Sequence, residues 1–290
     1  MKFTRFVYVV SIFAAMTAFN SAADLPPASP GERINACLWA NLWGASKASV
    51  TLTGGEEPSI STFVSYILED VNERCVGGGT PLLQIINKGS DDSVLPLVRH
   101  LFIAGADANI ALSSDSLRAI FEPRTAGATA LHIAASAGAV NRQSIIDLLI
   151  RSGGDVHART GAGATPLHIA AAESNSDVVR LFLRQGSDAN SHDDAGQTPL
   201  HYAARENSNP LVAMFLLSGG SEVNARDDRG WTPLHYAASE SASEQVLRVL
   251  LAMEPDTEAT TNTGQTAYDL IARNPTLKES EVLDMLMTRQ

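Results

Sequence analysis

Four histidines recur at nearly fixed intervals, and histidine is the most common metal ligand in proteins. They are separated by 36, 33 and 34 residues, at His132, His168, His201 and His235. Equivalent residues on helices that pack side by side are about 8–10 Å apart, whereas a histidine nitrogen lies about 2.0–2.1 Å from zinc. Two such histidines therefore cannot share an ion, and we expect no metal or other cofactor. Each is instead predicted to hydrogen-bond to backbone groups of the adjoining turn.

Paired carboxylates are the next candidates for chemistry, at Asp193-Asp194 and Asp227-Asp228. Each pair lies between repeated segments, so we expect both pairs to be solvated on exposed hairpins and poorly suited to acid–base catalysis. The glycine run at residues 77–79 occupies a similar position, which argues against a phosphate-binding loop. The chain contains no G-x-S-x-G, Walker or H-E-x-x-H motif. We therefore predict that the protein is not an enzyme.

Each repeated histidine belongs to a short segment that predicts the start of a helix. Three copies have the pattern T-P-L-H-x-A, a near copy begins at Thr129, and weaker copies begin at Thr80 and Thr266. Threonine can cap a helix, and proline fits a first turn, where no amide hydrogen bond is needed. A second apolar stretch follows each segment and ends in a run that predicts a helix end and a tight turn. These runs occupy residues 105–109, 153–157, 186–190 and 220–224.

The two half-motifs, repeated in the same order, closely resemble those of the ankyrin-repeat family. The resemblance implies an all-α solenoid of stacked helix-turn-helix units with short β-hairpin loops. Units should start near residues 80, 129, 165, 198 and 232, with a degenerate N-terminal cap unit at 33–79 and a C-terminal cap unit at 264–290. Residues 254–258 depart from the unit-ending pattern, so we expect a local change of path there. An insertion around residues 113–126 either serves binding or is a variation that the surface tolerates.

Residues 1–23 predict a secretory signal peptide. Lys2 and Arg5 precede an apolar run, from Phe6 to Phe19, that is too short to span a bilayer, and small residues follow it. Residues 24–32 form a Pro-rich linker, and 33–290 form the repeat domain. The chain has a net charge of −11, which disfavours nucleic acid and anionic membranes as partners. Because no N-x-[ST] sequon is present, we expect an exported bacterial protein in the periplasm, with secretion as the other possibility.

Cys37 and Cys75 are the two cysteines of the chain. In an oxidising compartment an even pair predicts a disulfide. The bond would tie the first helix of the N-terminal cap unit to the hairpin that leads into the next unit. The sequence around them lacks the histidine or lysine pattern expected of a reactive thiol.

The resemblance further implies a non-catalytic, monomeric scaffold that grips a protein partner with its hairpin tips and the concave side of its first helices. Carried over position by position, this face comprises Asp194, Ala195, Gln197, Arg205, Glu206, Asp228, Arg229, Trp231, Ser239, Glu240, Thr263 and Gln265. Trp231 beside Arg229 is the strongest candidate, because binding hot spots favour these residue types. Trp231 could instead simply cover the neighbouring hairpin. The alternative function is a secreted effector or inhibitor that binds an enzyme of a host or competitor.

Overall fold

The computed structural model describes residues 71–72, 74, 79–88, 94–113, 126–136, 142–173, 176–239, 243–274, 276–277 and 281–287. These residues form twelve α-helices and no strand, so the predicted all-α fold class is confirmed. The first helices of successive pairs are α1 (Pro81–Lys88), α3 (Ala130–Ser136), α5 (Pro166–Ala172), α7 (Pro199–Glu206), α9 (Pro233–Ser239) and α11 (Ala267–Ile271). The second helices are α2 (Val94–Ile103), α4 (Arg142–Arg151), α6 (Ser176–Arg184), α8 (Pro210–Ser218), α10 (Glu244–Ala252) and α12 (Glu281–Met287).

The helices form two layers with the core between them. Each first helix packs against the first helix of the next pair, and the second helices do the same. The first helices contribute small side chains such as Ala170 and Ala203, and the second helices contribute bulky ones such as Phe182 and Leu216, all of them buried. The small residues allow helix axes to approach closely while the bulky ones fill the space between layers. One pair could not cover its own apolar side, so stacking of neighbours completes the core.

Asparagines in the turns between several units join one helix pair to the next. The Asn190 side chain donates from Nδ2 to the carbonyl of Gly220 (2.9 Å) and accepts at Oδ1 from the Glu222 N–H (2.8 Å). Asn72 and Asn109 make the same two bonds with the pairs that follow them. Each asparagine therefore fixes the turn of the next pair relative to its own.

Glycine with a positive φ ends several second helices. Gly186 and Gly220 have φ of 86° and 92°, in the left-handed region that glycine occupies without strain. Glu254 occupies the corresponding place after α10 and has φ 52°. The next residue, Pro255, has no N–H to return to the helix, but Asp256 still donates to Asn224 Oδ1 (2.9 Å). The expected change of path is therefore wrong, because Glu254 takes the left-handed conformation itself.

Several predictions fall outside the described residues. They concern the signal peptide, the linker, Cys37 and Cys75, most of the N-terminal cap unit and most of the insertion at 113–126. Among the helices that are described, none combines the length and the apolar character needed to cross a bilayer.

Candidate protein-binding face

The loops that precede the first helices form a continuous row, here called the hairpin row and comprising residues 160–164, 193–197, 227–231 and 261–265. In each loop the first residue donates its N–H to the carbonyl of the fifth at 2.9 Å. Neighbouring loops are also joined, since the Asp194 N–H donates to Ala162 O (3.0 Å) and the Asp228 N–H to Ala195 O (3.1 Å). These bonds fix the spacing of the side chains along the row.

The first aspartate of each predicted pair shapes its loop from within. The Asp227 side chain is only 1% exposed. Its Oδ1 accepts from the N–H groups of Arg229 (2.9 Å) and Trp231 (2.8 Å), and its Oδ2 accepts from the Tyr236 hydroxyl (2.7 Å). Asp193 makes the equivalent bonds in the preceding loop. The expectation of fully solvated pairs is therefore wrong for these two residues, because the loop directs two amide donors at each carboxylate.

Three aromatic rings and two guanidinium groups alternate beside the hairpin row, in a cluster here called the cation–aromatic ladder: Tyr202, Arg205, Tyr236, Arg229 and Trp231. The Arg205 guanidinium carbon lies 5.1 Å from the Tyr202 ring centre and 5.6 Å from that of Tyr236. That of Arg229 lies 5.4 Å from the Tyr236 ring centre and 4.9 Å from that of Trp231. Cations within about 6 Å of aromatic ring centres are attracted to them, so the ladder links neighbouring units through side chains.

Buried hydrogen bonds fix the middle of the ladder. Gln197 is buried; it donates from Nε2 to the Tyr236 hydroxyl (2.5 Å) and accepts at Oε1 from Arg205 (3.1 Å). Arg229 also donates to the Tyr236 hydroxyl. Burial, and the hydrogen bond to Asp227, raise the pKa of Tyr236 to about 12, so the hydroxyl stays protonated at neutral pH.

Exposure separates the two ends of the ladder. The Arg205 side chain is 13% exposed and is paired with Glu206 (2.6 Å), whereas that of Arg229 is 56% exposed beside a partly buried Trp231. The solvent-accessible end of the ladder is therefore formed by Arg229 and Trp231. Arg205 and Gln197 lie deeper in the protein and hydrogen-bond to each other. The remaining predicted residues that are exposed are Asp194, Ala195, Glu206, Asp228 and Thr263, while Ser239 and Gln265 are half-buried and Glu240 lies outside the described residues.

The four repeat histidines link successive units. Each accepts at Nδ1 from the N–H of the threonine that precedes its own first helix, at 3.0–3.2 Å. Each Nε2 lies 3.0–3.2 Å from the carbonyl of the residue before the next such threonine. A carbonyl can only accept, so Nε2 carries the proton and the ring is neutral. The predicted structural role is therefore confirmed.

The charge state of these rings follows from their environment. Burial lowers the pKa of His132, His168 and His201 to about 4 and also lowers that of His235. At the same place in α11 stands Asp269, whose Oδ2 accepts from the Thr266 N–H (2.9 Å) and hydroxyl (3.0 Å). Asp269 therefore caps its own helix without reaching beyond it. Within the described part of the chain, no cluster of three or more His, Cys, Asp or Glu side chains could hold a metal ion.

The two tyrosines of the ladder are absent from the predicted binding residues, although the sequence carries a signal for them. Tyr202 and Tyr236 each follow an aspartate by nine residues, Asp193 and Asp227. In the preceding loop a threonine and an isoleucine occupy these two positions, at Thr160 and Ile169. Asp and Tyr thus occur together within this one chain, as expected of residues that hydrogen-bond to each other.

Comparison with known proteins agrees with this geometry. The family model described as "Ankyrin repeats" matches the chain in three copies, at residues 92–191, 131–227 and 206–290. Together these matches cover residues 92–290, which is more than half of the sequence. A search of curated proteins gives no match to this chain.

Proposed function

The chain belongs to the ankyrin-repeat family, whose members generally mediate protein–protein interactions, and we propose that it is a non-catalytic scaffold for a protein partner. The partner contacts the hairpin row and the adjoining first helices. Solenoids of this kind bind along an extended concave surface, because each unit adds an equivalent set of side chains.

The cation–aromatic ladder is the observation that carries this proposal. Trp and Arg are among the residue types most enriched at binding hot spots. Here the contacts with Tyr236 hold Arg229 in place before any partner arrives. A side chain that is already ordered loses less entropy on binding. The exposed Asp194 and Asp228 on the same row contribute charge that can select among partners.

Affinity capture from an extract of the source cells tests the proposal. We expect the wild-type chain to retain a partner that the Trp231→Ala, Arg229→Ala double variant loses. A matched control is Arg151→Ala, which removes an arginine from the second-helix layer and should retain the partner. Circular dichroism must show that all three proteins are folded. Equal capture by the wild type and the double variant would refute this binding face.

We also propose that the protein is exported, as its first 23 residues suggest. Fractionation followed by N-terminal sequencing tests this, with a mature chain that begins at Asp24 as the expected result. Recovery from the periplasm supports a scaffold for a periplasmic partner. Recovery from the culture medium supports the alternative, an effector or inhibitor of an enzyme in another cell. An intact Met1 in the cytoplasm would contradict export.

A further inference from the structure

The second helices differ at their outward-facing positions, and α8 is the exception among α4, α6, α8 and α10. The other three carry charged residues at the position of Met214, each in an ion pair: Asp147 with Arg151 (2.8 Å), Arg180 with Asp177 (2.9 Å) and Arg248 with Glu244 (2.6 Å). In α8 the same position is Met214, which is 48% exposed. One turn earlier, where α6 has Asp177, stands Leu211, which is 46% exposed. The outer side of α8 is therefore apolar where its neighbours are charged.

The whole of α8 is apolar, since its sequence PLVAMFLLS contains no charged residue. Its inner side is accounted for by the core, where Val212 and Leu216 are fully buried. Leu211 and Met214, with the half-buried Phe215 between neighbouring helices, form an outer patch. A helix that is apolar on every side is normally buried on every side, and an exposed apolar patch with a polar rim is typical of an interface. The patch lies in the second-helix layer, away from the hairpin row.

The charges beside the patch are self-complementary. Asp177 and Arg184 stand seven residues apart on α6, about two helical turns, so they lie at opposite ends of the same helix side. The Asp177 side chain is 54% exposed, and Arg184 is exposed and has no ion-pair partner among the described residues. If two copies meet through α8 in antiparallel orientation, a two-fold axis near Met214 places Asp177 of each copy opposite Arg184 of the other. Arg180, nearer the axis, is already neutralised by Asp177 and lies over Phe215 (5.7 Å).

We propose that the outer patch is the contact between two copies of this chain, packed antiparallel about a two-fold axis. Helices α6, α8 and α10 have nine residues each. They offer a plane of roughly 14 Å by 30 Å, given a rise of about 1.5 Å per residue and helix spacings of about 10 Å. This is smaller than the roughly 800 Å² per partner of a standard interface, so the dimer is weak, with a dissociation constant on the order of 10–100 µM. The monomer expected from the sequence then applies at low concentration.

Sedimentation equilibrium between about 1 and 500 µM tests the proposal. The wild-type chain should shift from monomer to dimer across this range. The Leu211→Asp, Met214→Arg variant copies the Asp177–Arg180 pair of α6, which the same helix geometry tolerates. Its dissociation constant for the dimer should be at least tenfold higher than that of the wild-type chain. Ser144→Arg, at the position of Leu211 on α4, is the matched control and should dimerise like the wild type. The Trp231→Ala, Arg229→Ala variant should also dimerise, which separates this contact from the proposed binding face.

A charge exchange tests the orientation. Asp177→Arg and Arg184→Asp should each weaken dimerisation severalfold, because each places like charges opposite one another, and the double variant should restore it. A wild-type chain that remains monomeric at 500 µM would overturn the proposal. A dimer that is unaffected by Leu211→Asp, Met214→Arg would overturn it too, and a double exchange that restores nothing would overturn the antiparallel arrangement.

Discussion

The Tyr236 hydroxyl makes hydrogen bonds to three side chains, so Tyr236→Phe should destabilise the fold far more than a typical Tyr→Phe substitution. It donates to Asp227, whose side chain is 1% exposed, and it accepts from Gln197 and Arg229. Loss of a hydrogen bond to a buried charged group costs about 1.5–3 kcal/mol, and the unsatisfied Gln197 amide adds about 1 kcal/mol. We therefore expect Tyr236→Phe to lower the free energy of unfolding by about 3 kcal/mol while the ring contacts remain.

Tyr202→Phe is the matched comparison, one unit earlier. Its hydroxyl donates to Asp193 (2.8 Å), which is only partly buried, so water can replace the lost bond. We expect a loss of about 1 kcal/mol for this variant. Urea unfolding of both variants and the wild type, followed by circular dichroism at pH 7, gives the comparison. A Tyr236→Phe loss no larger than that of Tyr202→Phe would refute the argument that the hydroxyl is a shared buried partner.

Three further predictions concern the links between units. Burial lowers the pKa of three repeat histidines to about 4 from the ordinary 6.5, so between these pH values the folded state binds fewer protons than the unfolded chain. The urea concentration at the unfolding midpoint should therefore stay constant above pH 7 and fall steadily from about pH 6.5 towards pH 4. A midpoint at pH 5 equal to that at pH 7 would contradict the neutral rings. His157 follows the same kind of turn as Asn190. In the His157→Asn variant, the new asparagine should hydrogen-bond to the Gly186 carbonyl and the Asp188 N–H. Urea unfolding should then show a free energy of unfolding that is higher by about 1 kcal/mol. Glu254→Gly should relieve the strain of the left-handed backbone conformation and raise the free energy of unfolding by about 0.5–1 kcal/mol. A lower thermal midpoint for this variant would instead show that the Glu254 side chain stabilises the turn.

The repeat pattern was sufficient to predict the all-α solenoid and the role of the histidines. A helix start needs only a cap and a proline at fixed places, and these are local in sequence. The histidine role followed from one distance argument, because residues a whole unit apart cannot meet at one ion. Both inferences depend on properties that several units share.

The parts that were not predicted depend on contacts between particular units. Asp227 was expected to be solvated because acidic residues in loops usually are, yet three donors converge on it once the loop closes. Gln197 was expected at the binding surface, but it lies beneath the ladder because Tyr236 of the next unit covers it. The apolar stretch that contains Leu211 gave no indication that this residue faces outward. Sequence periodicity identifies an apolar helix, but it does not show which of its sides other helices cover.

The histidine and asparagine bonds run in one direction, from a side chain to the backbone of the unit that follows. Among these polar links, deleting units from the amino end would therefore leave only backbone groups that water can solvate. Deleting them from the carboxyl end would leave an imidazole N–H without its backbone acceptor, unless the new last unit carried an aspartate like Asp269. The array therefore has a polarity, and engineered versions of different length should keep the Asp269 unit last and vary the number of units before it.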